Sequence, residues 1–90
     1  SEVIFRDPLK DKAYNNIANC YYELGDQDKA VQYLLQAISI NPNNEQSLQT
    51  LGDYYYNRNE MDIALKYLRK SAQLGNVVVQ EWLDSENIDW

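Results

Sequence analysis

Apolar residues recur early in the chain at spacings of three and four, which is the period of one face of an α-helix. They are Tyr14, Ile17, Ala18 and Tyr21. Polar residues fill most positions between them, so the segment has an apolar side and a polar side. The pattern predicts a first helix from about residue 11 to residue 24, packed through its apolar side.

Residues that end and begin helices follow directly. Gly25 ends the first helix, since glycine enters the left-handed conformation without steric penalty, and Asp26 is placed to cap a second helix. The second helix carries apolar residues along one side, namely Ala30, Val31, Leu34, Ala37 and Ile38. The run Asn-Pro-Asn-Asn at 41–44 stops it, and Asn44 can cap a third helix. These segments predict a helix–turn–helix unit.

The same unit occurs a second time at a constant offset. Ala30 aligns with Ala64, an offset of 64 − 30 = 34 residues, and residues 13–44 align with 47–78 without any insertion. Other aligned pairs are Tyr14 with Leu48, Ile17 with Leu51, Ala18 with Gly52, Tyr21 with Tyr55, Tyr22 with Tyr56 and Leu34 with Leu68. Asn59 stands in the place of Gly25, and asparagine also tolerates the left-handed conformation. A fixed period of this length is the signature of a repeat protein.

Several small and aromatic residues have predicted packing roles. Glycine inside a helix costs about 1 kcal/mol relative to alanine, so Gly52 indicates a helix crossing too close for a methyl group. Cys20 is interpreted as a small buried apolar residue rather than a reactive thiol. The tyrosines assigned to the core are Tyr14, Tyr21 and Tyr55.

Taken together, these positions resemble the tetratricopeptide repeat, a 34-residue helix–turn–helix unit. The first unit carries the family pattern at Tyr14, Ile17, Ala18, Tyr21, Ala30, Leu34, Ala37 and Pro42. The second carries it at Leu48, Leu51, Gly52, Tyr55, Ala64, Leu68 and Ser71, and departs from it at Asn76, where the family has proline. The resemblance implies an all-α fold: an α-solenoid of two helix–turn–helix units with a short C-terminal capping helix.

The predicted organisation has four segments. Residues 11–44 form the first repeat, 45–76 the second, and 77–90 a capping helix with a tail. Residues 1–10 are either an N-terminal extension or the remnant of a preceding repeat, because Pro8 lies 34 residues before Pro42 (42 − 8 = 34). Trp82 falls in the register of a third unit, but Ser85 and Glu86 replace the apolar and small residues expected next. This favours a terminal helix over 77–84 with a polar outer face, as repeat arrays require.

Charge and composition limit the classes of partner and function that we expect for this chain. The net charge is −6 and the basic residues are scattered, which argues against nucleic acid and anionic membrane surfaces as partners. No apolar run approaches the length of a membrane span, so membrane insertion is not expected. The chain has no histidine and one cysteine, so the usual zinc sites and general bases are missing. We expect neither an enzyme nor a cofactor.

The sequence begins without the pattern of a signal peptide. This favours a cytoplasmic location, but it does not establish the compartment.

The candidate site is a polar stripe along the first helix of each unit. In the first unit it comprises Lys12, Asn15, Asn19, Tyr22 and Glu23, and in the second Gln46, Gln49, Asp53, Tyr56 and Asn57. The resemblance implies that this stripe lines a concave groove that holds an extended peptide. Asparagine and glutamine suit that role because their amides both donate and accept hydrogen bonds. The competing interpretation is an ordinary solvated face.

The predicted function is that of a protein- or peptide-binding scaffold or adaptor module. Because the stripe is slightly acidic, the expected partner is another protein or an extended peptide segment that is neutral to basic. The alternative is self-association into a homo-oligomer, since repeat arrays usually need about three units for stability. The exposed end of a two-unit array could then stack on a second copy.

Overall fold

The computed structural model describes residues 10–90, which form five α-helices and no β-strand. The helices are α1 (Lys10–Glu23), α2 (Gln27–Ile40), α3 (Glu45–Asn57), α4 (Met61–Gln73) and α5 (Val77–Ser85). The chain divides into two compact units after Pro42, so that α1 and α2 form the first unit and α3, α4 and α5 the second. The all-α fold of two helix–turn–helix units and a C-terminal helix is confirmed. The prediction on Pro8 lies outside the described residues.

The turns inside the two units have the same geometry. Gly25 has φ +86° and Asn59 has φ +61°, so both residues occupy the left-handed region. In each turn the following backbone N–H closes a six-residue hydrogen-bonded loop. Asp26 donates to the Tyr21 carbonyl and Glu60 to the Tyr55 carbonyl, each at 2.9 Å. The exchange of glycine for asparagine therefore preserves the helix end, as predicted.

Side chains cap three of the four helices that follow a turn. The Asp26 carboxylate accepts a hydrogen bond from the Lys29 backbone N–H at 3.1 Å, and the Asn44 side chain accepts one from Ser47 at 3.1 Å. Asn76 caps α5 by the same means. Such caps satisfy backbone donors that the first turn leaves unpaired, typically stabilising a helix by about 1 kcal/mol.

Small residues let the two helices of each unit pack closely. In the first unit Ala18, Ala30 and Ala37 are fully buried. In the second, a Cβ built on Gly52 would lie 2.5 Å from Cγ of Leu68 and 3.3 Å from the Ala64 carbonyl oxygen. Both separations are too short for ordinary packing, so the predicted close crossing at Gly52 is confirmed.

The C-terminal helix packs on α4. Its residues Val79 and Leu83 form a buried cluster with Leu68 and Ala72. Leu65, Trp82 and Ile88 are partly buried against this cluster. The outer side of α5 is polar at Glu81, Asp84 and Ser85, as predicted. It departs from the prediction at Val77 and Val78, which are 59% and 65% exposed.

A chain of hydrogen bonds joins the start of α5 to α3 and α4. The Asn76 amide nitrogen donates to the Gln49 side-chain oxygen at 2.8 Å and to the Ser71 hydroxyl at 3.0 Å. The Ser71 hydroxyl in turn donates to the Glu45 backbone carbonyl at 2.8 Å. A proline at position 76 would supply neither this amide nor the cap of α5. The departure from the repeat pattern is therefore explained by the helix that follows.

The prediction that Cys20 is buried is wrong, and the predicted core tyrosines Tyr14, Tyr21 and Tyr55 are only partly buried. Cys20 is exposed. Its counterpart Tyr54 is 8% exposed and is the most deeply buried tyrosine of the described chain, whereas Tyr55 is only partly buried. The Tyr54 ring meets Tyr55 edge-on at 5.0 Å, and the Arg58 guanidinium lies 5.4 Å from its centre.

Candidate functional site

The second unit contains a pocket of about 210 Å³ between side chains of α3, α4 and α5. It is lined by Gln49, Asp53, Tyr56, Leu68, Val78, Val79 and Trp82, and we call it the α3–α5 pocket. Its volume is below the roughly 300–1,000 Å³ of pockets that enclose drug-sized ligands. The pocket therefore has the size to accept one side chain of a partner rather than a whole small molecule.

One wall of the pocket comes from α3. Gln49, Asp53 and Tyr56 follow each other at spacings of four and three, which places them on one face of the helix. All three belong to the predicted polar stripe, and the structure brings them together. Asn76 holds the Gln49 side-chain oxygen, so the amide nitrogen of Gln49 stays available as a donor.

The opposite wall comes from α5. Val78 and Trp82 are one helical turn apart, and Val79 closes the floor beside Leu68 of α4. The Trp82 ring stands at 88° to the Tyr56 ring, with 5.4 Å between their centres. Sequence reasoning treated Trp82 only as a capping residue and missed Val78. The available signal was the run of three valines before the tryptophan, which leaves apolar positions on the side expected to be polar.

Asp53 is the charged residue of this pocket. Desolvation by the surrounding side chains raises the pKa of its carboxyl group above the ordinary aspartate value, although part of the residue remains exposed. Within residues 10–90, no hydrogen bond or ion pair holds the carboxylate. Asp53 therefore contributes a partly desolvated negative charge that has no partner among the described residues.

Replacing Asp53 by asparagine is expected to stabilise the second unit modestly at neutral pH. A raised pKa means that the folded state binds the proton more tightly than the unfolded state does. The unfolding free energy therefore falls as pH rises from the ordinary aspartate pKa through the raised one, and stays lower above it. Solvent contact keeps the effect small. Urea titrations at neutral and mildly acidic pH check this, and a variant less stable than the wild type at neutral pH would contradict it.

The other predicted residues of the second unit lie outside the pocket. Gln46 and Asn57, near the two ends of α3, are exposed and do not line it. The Gln46 backbone carbonyl accepts a hydrogen bond from the Thr50 hydroxyl. These two residues flank the site without forming it.

In the first unit the predicted stripe is only partly accessible. Lys12, Asn19 and Glu23 are exposed. Asn15 is 4% exposed, so its amide is not open to a ligand in this structure. Tyr22 is partly buried, and its hydroxyl is buried without a hydrogen-bond partner among the described residues. Lys12, Asn19 and Glu23 remain the accessible candidates on α1.

Metal sites and membrane-spanning helices are absent from the described part of the chain. Residues 10–90 contain no group of three histidine, cysteine or acidic side chains arranged to hold a metal ion. Among these residues, no helix has both the length and the apolar character of a membrane span.

Comparison with known proteins identifies the family of this chain. Models described as tetratricopeptide repeat match residues 11–44 and residues 46–80. No curated protein matches the chain. Tetratricopeptide repeats generally mediate protein–protein interaction or scaffolding, and they are typically non-catalytic. Two consecutive matches that together cover most of the chain show that this chain belongs to the tetratricopeptide repeat family.

Proposed function

We propose that the chain binds an extended segment of a partner protein, and that the α3–α5 pocket takes one side chain of that segment. The observation that carries the proposal is the meeting of three stripe residues of α3 with the exposed side of α5 around one cavity. Family membership supports the protein-binding role, and the pocket supports this choice of surface.

The lining residues have complementary roles in this proposal. Tyr56 is 41% exposed and Trp82 is partly buried, so both rings offer apolar area to a ligand. Tyrosine and tryptophan are enriched among residues that dominate binding energy, since they bury large areas at low conformational cost. The Gln49 amide nitrogen is placed to donate to a peptide carbonyl. We therefore expect the two rings to control dissociation and Gln49 to set the register of the peptide.

The proposal predicts that Tyr56→Ala weakens peptide binding about thirtyfold or more, because truncating an aromatic hot-spot residue costs about 2 kcal/mol or more. Ligands can be selected from a phage-displayed library of random peptides against the wild-type protein. Binding is then measured by fluorescence anisotropy, with circular dichroism to show that the variant is folded. Asn19→Ala tests the first unit separately.

The matched control is the double variant Lys66→Ala, Lys70→Ala on the exposed side of α4. It should bind the selected peptides as the wild type does. If this variant loses binding while Tyr56→Ala keeps it, the binding surface lies on α4 and the proposal is wrong.

Self-association is the alternative, and the exposed Val77 and Val78 give it a specific basis. Sedimentation equilibrium separates the two functions. A dimer that dissociates when both valines are replaced by serine, in a protein that selects no peptide, would replace our proposal with self-association. A monomer that binds selected peptides supports peptide recognition.

A further inference from the structure

We infer that the side chain accepted by the α3–α5 pocket is cationic, a lysine or arginine whose alkyl stem lies on the apolar wall and whose charged end meets Asp53 beside the Tyr56 and Trp82 rings. This inference rests on the proposed function and specifies the chemistry of its ligand.

The charge of the pocket favours a cation. Asp53 is the only Asp, Glu, Lys or Arg side chain that lines the pocket, and it has no hydrogen bond or ion pair within the described residues. An apolar side chain entering the pocket would desolvate this carboxylate further without compensation. An anionic side chain would add repulsion, in a chain whose net charge is already −6. A cation is the entering group that offsets the desolvation.

The aromatic rings of the pocket also favour a cation. Elsewhere in the described chain, tyrosine rings pair with cations of the protein itself. The centres of the Tyr14 and Tyr21 rings lie 5.9 Å and 5.4 Å from lysine ammonium groups, and Tyr54 is 5.4 Å from a guanidinium. Within residues 10–90, Tyr56 and Trp82 have no such cation. In their edge-to-face pair the edge of one ring meets a face of the other. A ring face that is not covered in this way attracts a cation within about 6 Å.

The apolar part of the pocket favours a long aliphatic stem. Leu68, Val78 and Val79 form a wall of aliphatic carbon. Lysine and arginine bury their methylene stems on such surfaces while the charged head stays near polar groups. A short polar side chain would leave these aliphatic side chains exposed to solvent. The pocket thus matches a side chain that is aliphatic along its length and positive at its end.

The experiment compares three synthetic peptide pools, identical except for one fixed central position that carries lysine, norleucine or glutamate. Norleucine keeps the aliphatic stem and removes the charge. Wild-type protein should bind the lysine pool about tenfold more tightly than the norleucine pool, the ratio expected for about 1.4 kcal/mol from one charge-assisted contact. The glutamate pool should bind most weakly.

Variants then locate the preference. Asp53→Asn should bring lysine binding to within about twofold of norleucine binding. The variant should bind the lysine pool more weakly than the wild type does, and the norleucine pool more tightly, because norleucine no longer desolvates a carboxylate. Tyr56→Leu should lower lysine affinity about fivefold, as expected for loss of an exposed cation–π contact of about 1 kcal/mol. Glu81→Gln removes the same charge from an exposed residue of α5 that does not line the pocket, so it should keep the lysine preference.

The outcomes separate this inference from the proposed function. Equal binding of the lysine and norleucine pools by the wild type overturns the inference and leaves peptide binding intact. A lysine preference lost equally in Glu81→Gln and Asp53→Asn also overturns it, because the attraction would then be general charge. If none of the three pools binds the wild type, the proposed function fails and the inference fails with it.

Discussion

Replacing Ala64 by tryptophan should destroy the cooperative unfolding transition of the second unit or shift it far downward. Ala64 is fully buried on α4, and its carbonyl lies at the close crossing next to Gly52. An indole at this position must push α3 and α4 apart. Overpacking a tight core typically costs about 1–3 kcal/mol, and more where the backbone cannot move. Thermal unfolding followed by circular dichroism measures the effect.

The matched control for this prediction is Lys66→Trp, two residues further along α4 and exposed. It adds the same ring without entering the crossing, so it should unfold close to the wild-type temperature. Ala30→Trp should repeat the damage in the first unit, since Ala30 is also fully buried. Wild-type melting of Ala64→Trp would show that the assigned register is wrong.

Truncation after Asn76 should cause the second largest loss, because it removes the helix that covers α4. Leu68 and Ala72 would lose Val79 and Leu83 as buried neighbours. The loss of one large buried apolar side chain costs about 2–5 kcal/mol. We expect a lower unfolding free energy in urea and aggregation of the truncated protein, which light scattering can follow. A truncated protein that stays monomeric and equally stable would contradict the packing described for α5.

A pair of point variants separates the loss of packing from the loss of chain length. Leu83→Ala removes a fully buried side chain and should destabilise the protein. Val77→Ala trims an exposed side chain on the same helix and should change stability by no more than about 0.5 kcal/mol. Equal effects of the two substitutions would mean that α5 is not docked through Leu83.

The features that the sequence predicts well are those fixed by local physics. The 34-residue offset identifies equivalent positions, and the left-handed turns at Gly25 and Asn59 show that equivalence in the backbone. Gly52 signals the close crossing because nothing in helix propensity favours glycine there. A repeat strengthens such predictions, because a role assigned to a position in one unit can be checked at the equivalent position of the other unit.

The features that the sequence does not predict depend on tertiary contacts. Cys20 and Tyr54 occupy equivalent positions, yet one is exposed and the other buried. A ring as large as that of Tyr54 reaches neighbours that a thiol cannot reach, and no periodicity reports this. Asn15 is read as accessible because it is polar, but burial of a polar residue depends on the partners that surround it in the fold.

The candidate site illustrates the same division. Helical spacing places Gln49, Asp53 and Tyr56 on one face of α3, and the structure brings them together around the α3–α5 pocket. The sequence does not predict that Trp82 lines the pocket, because its position indicates only a packing role in the C-terminal helix. Its contact with Tyr56 joins residues 26 positions apart (82 − 56 = 26) on separate helices, and such a pairing appears only when the helices are packed.

Proton–nitrogen correlation NMR of the protein, titrated with a selected lysine-containing peptide, tests the central claim most directly. The variant Trp90→Phe leaves Trp82 as the only tryptophan, so the single indole N–H signal belongs to the pocket. We predict that shift changes concentrate at this indole and at the backbone amides of Asp53, Tyr56 and Val78, while Lys66 and Lys70 stay unchanged. Changes centred on the exposed side of α4, with the Trp82 indole unaffected at saturating peptide, would contradict peptide recognition by the α3–α5 pocket.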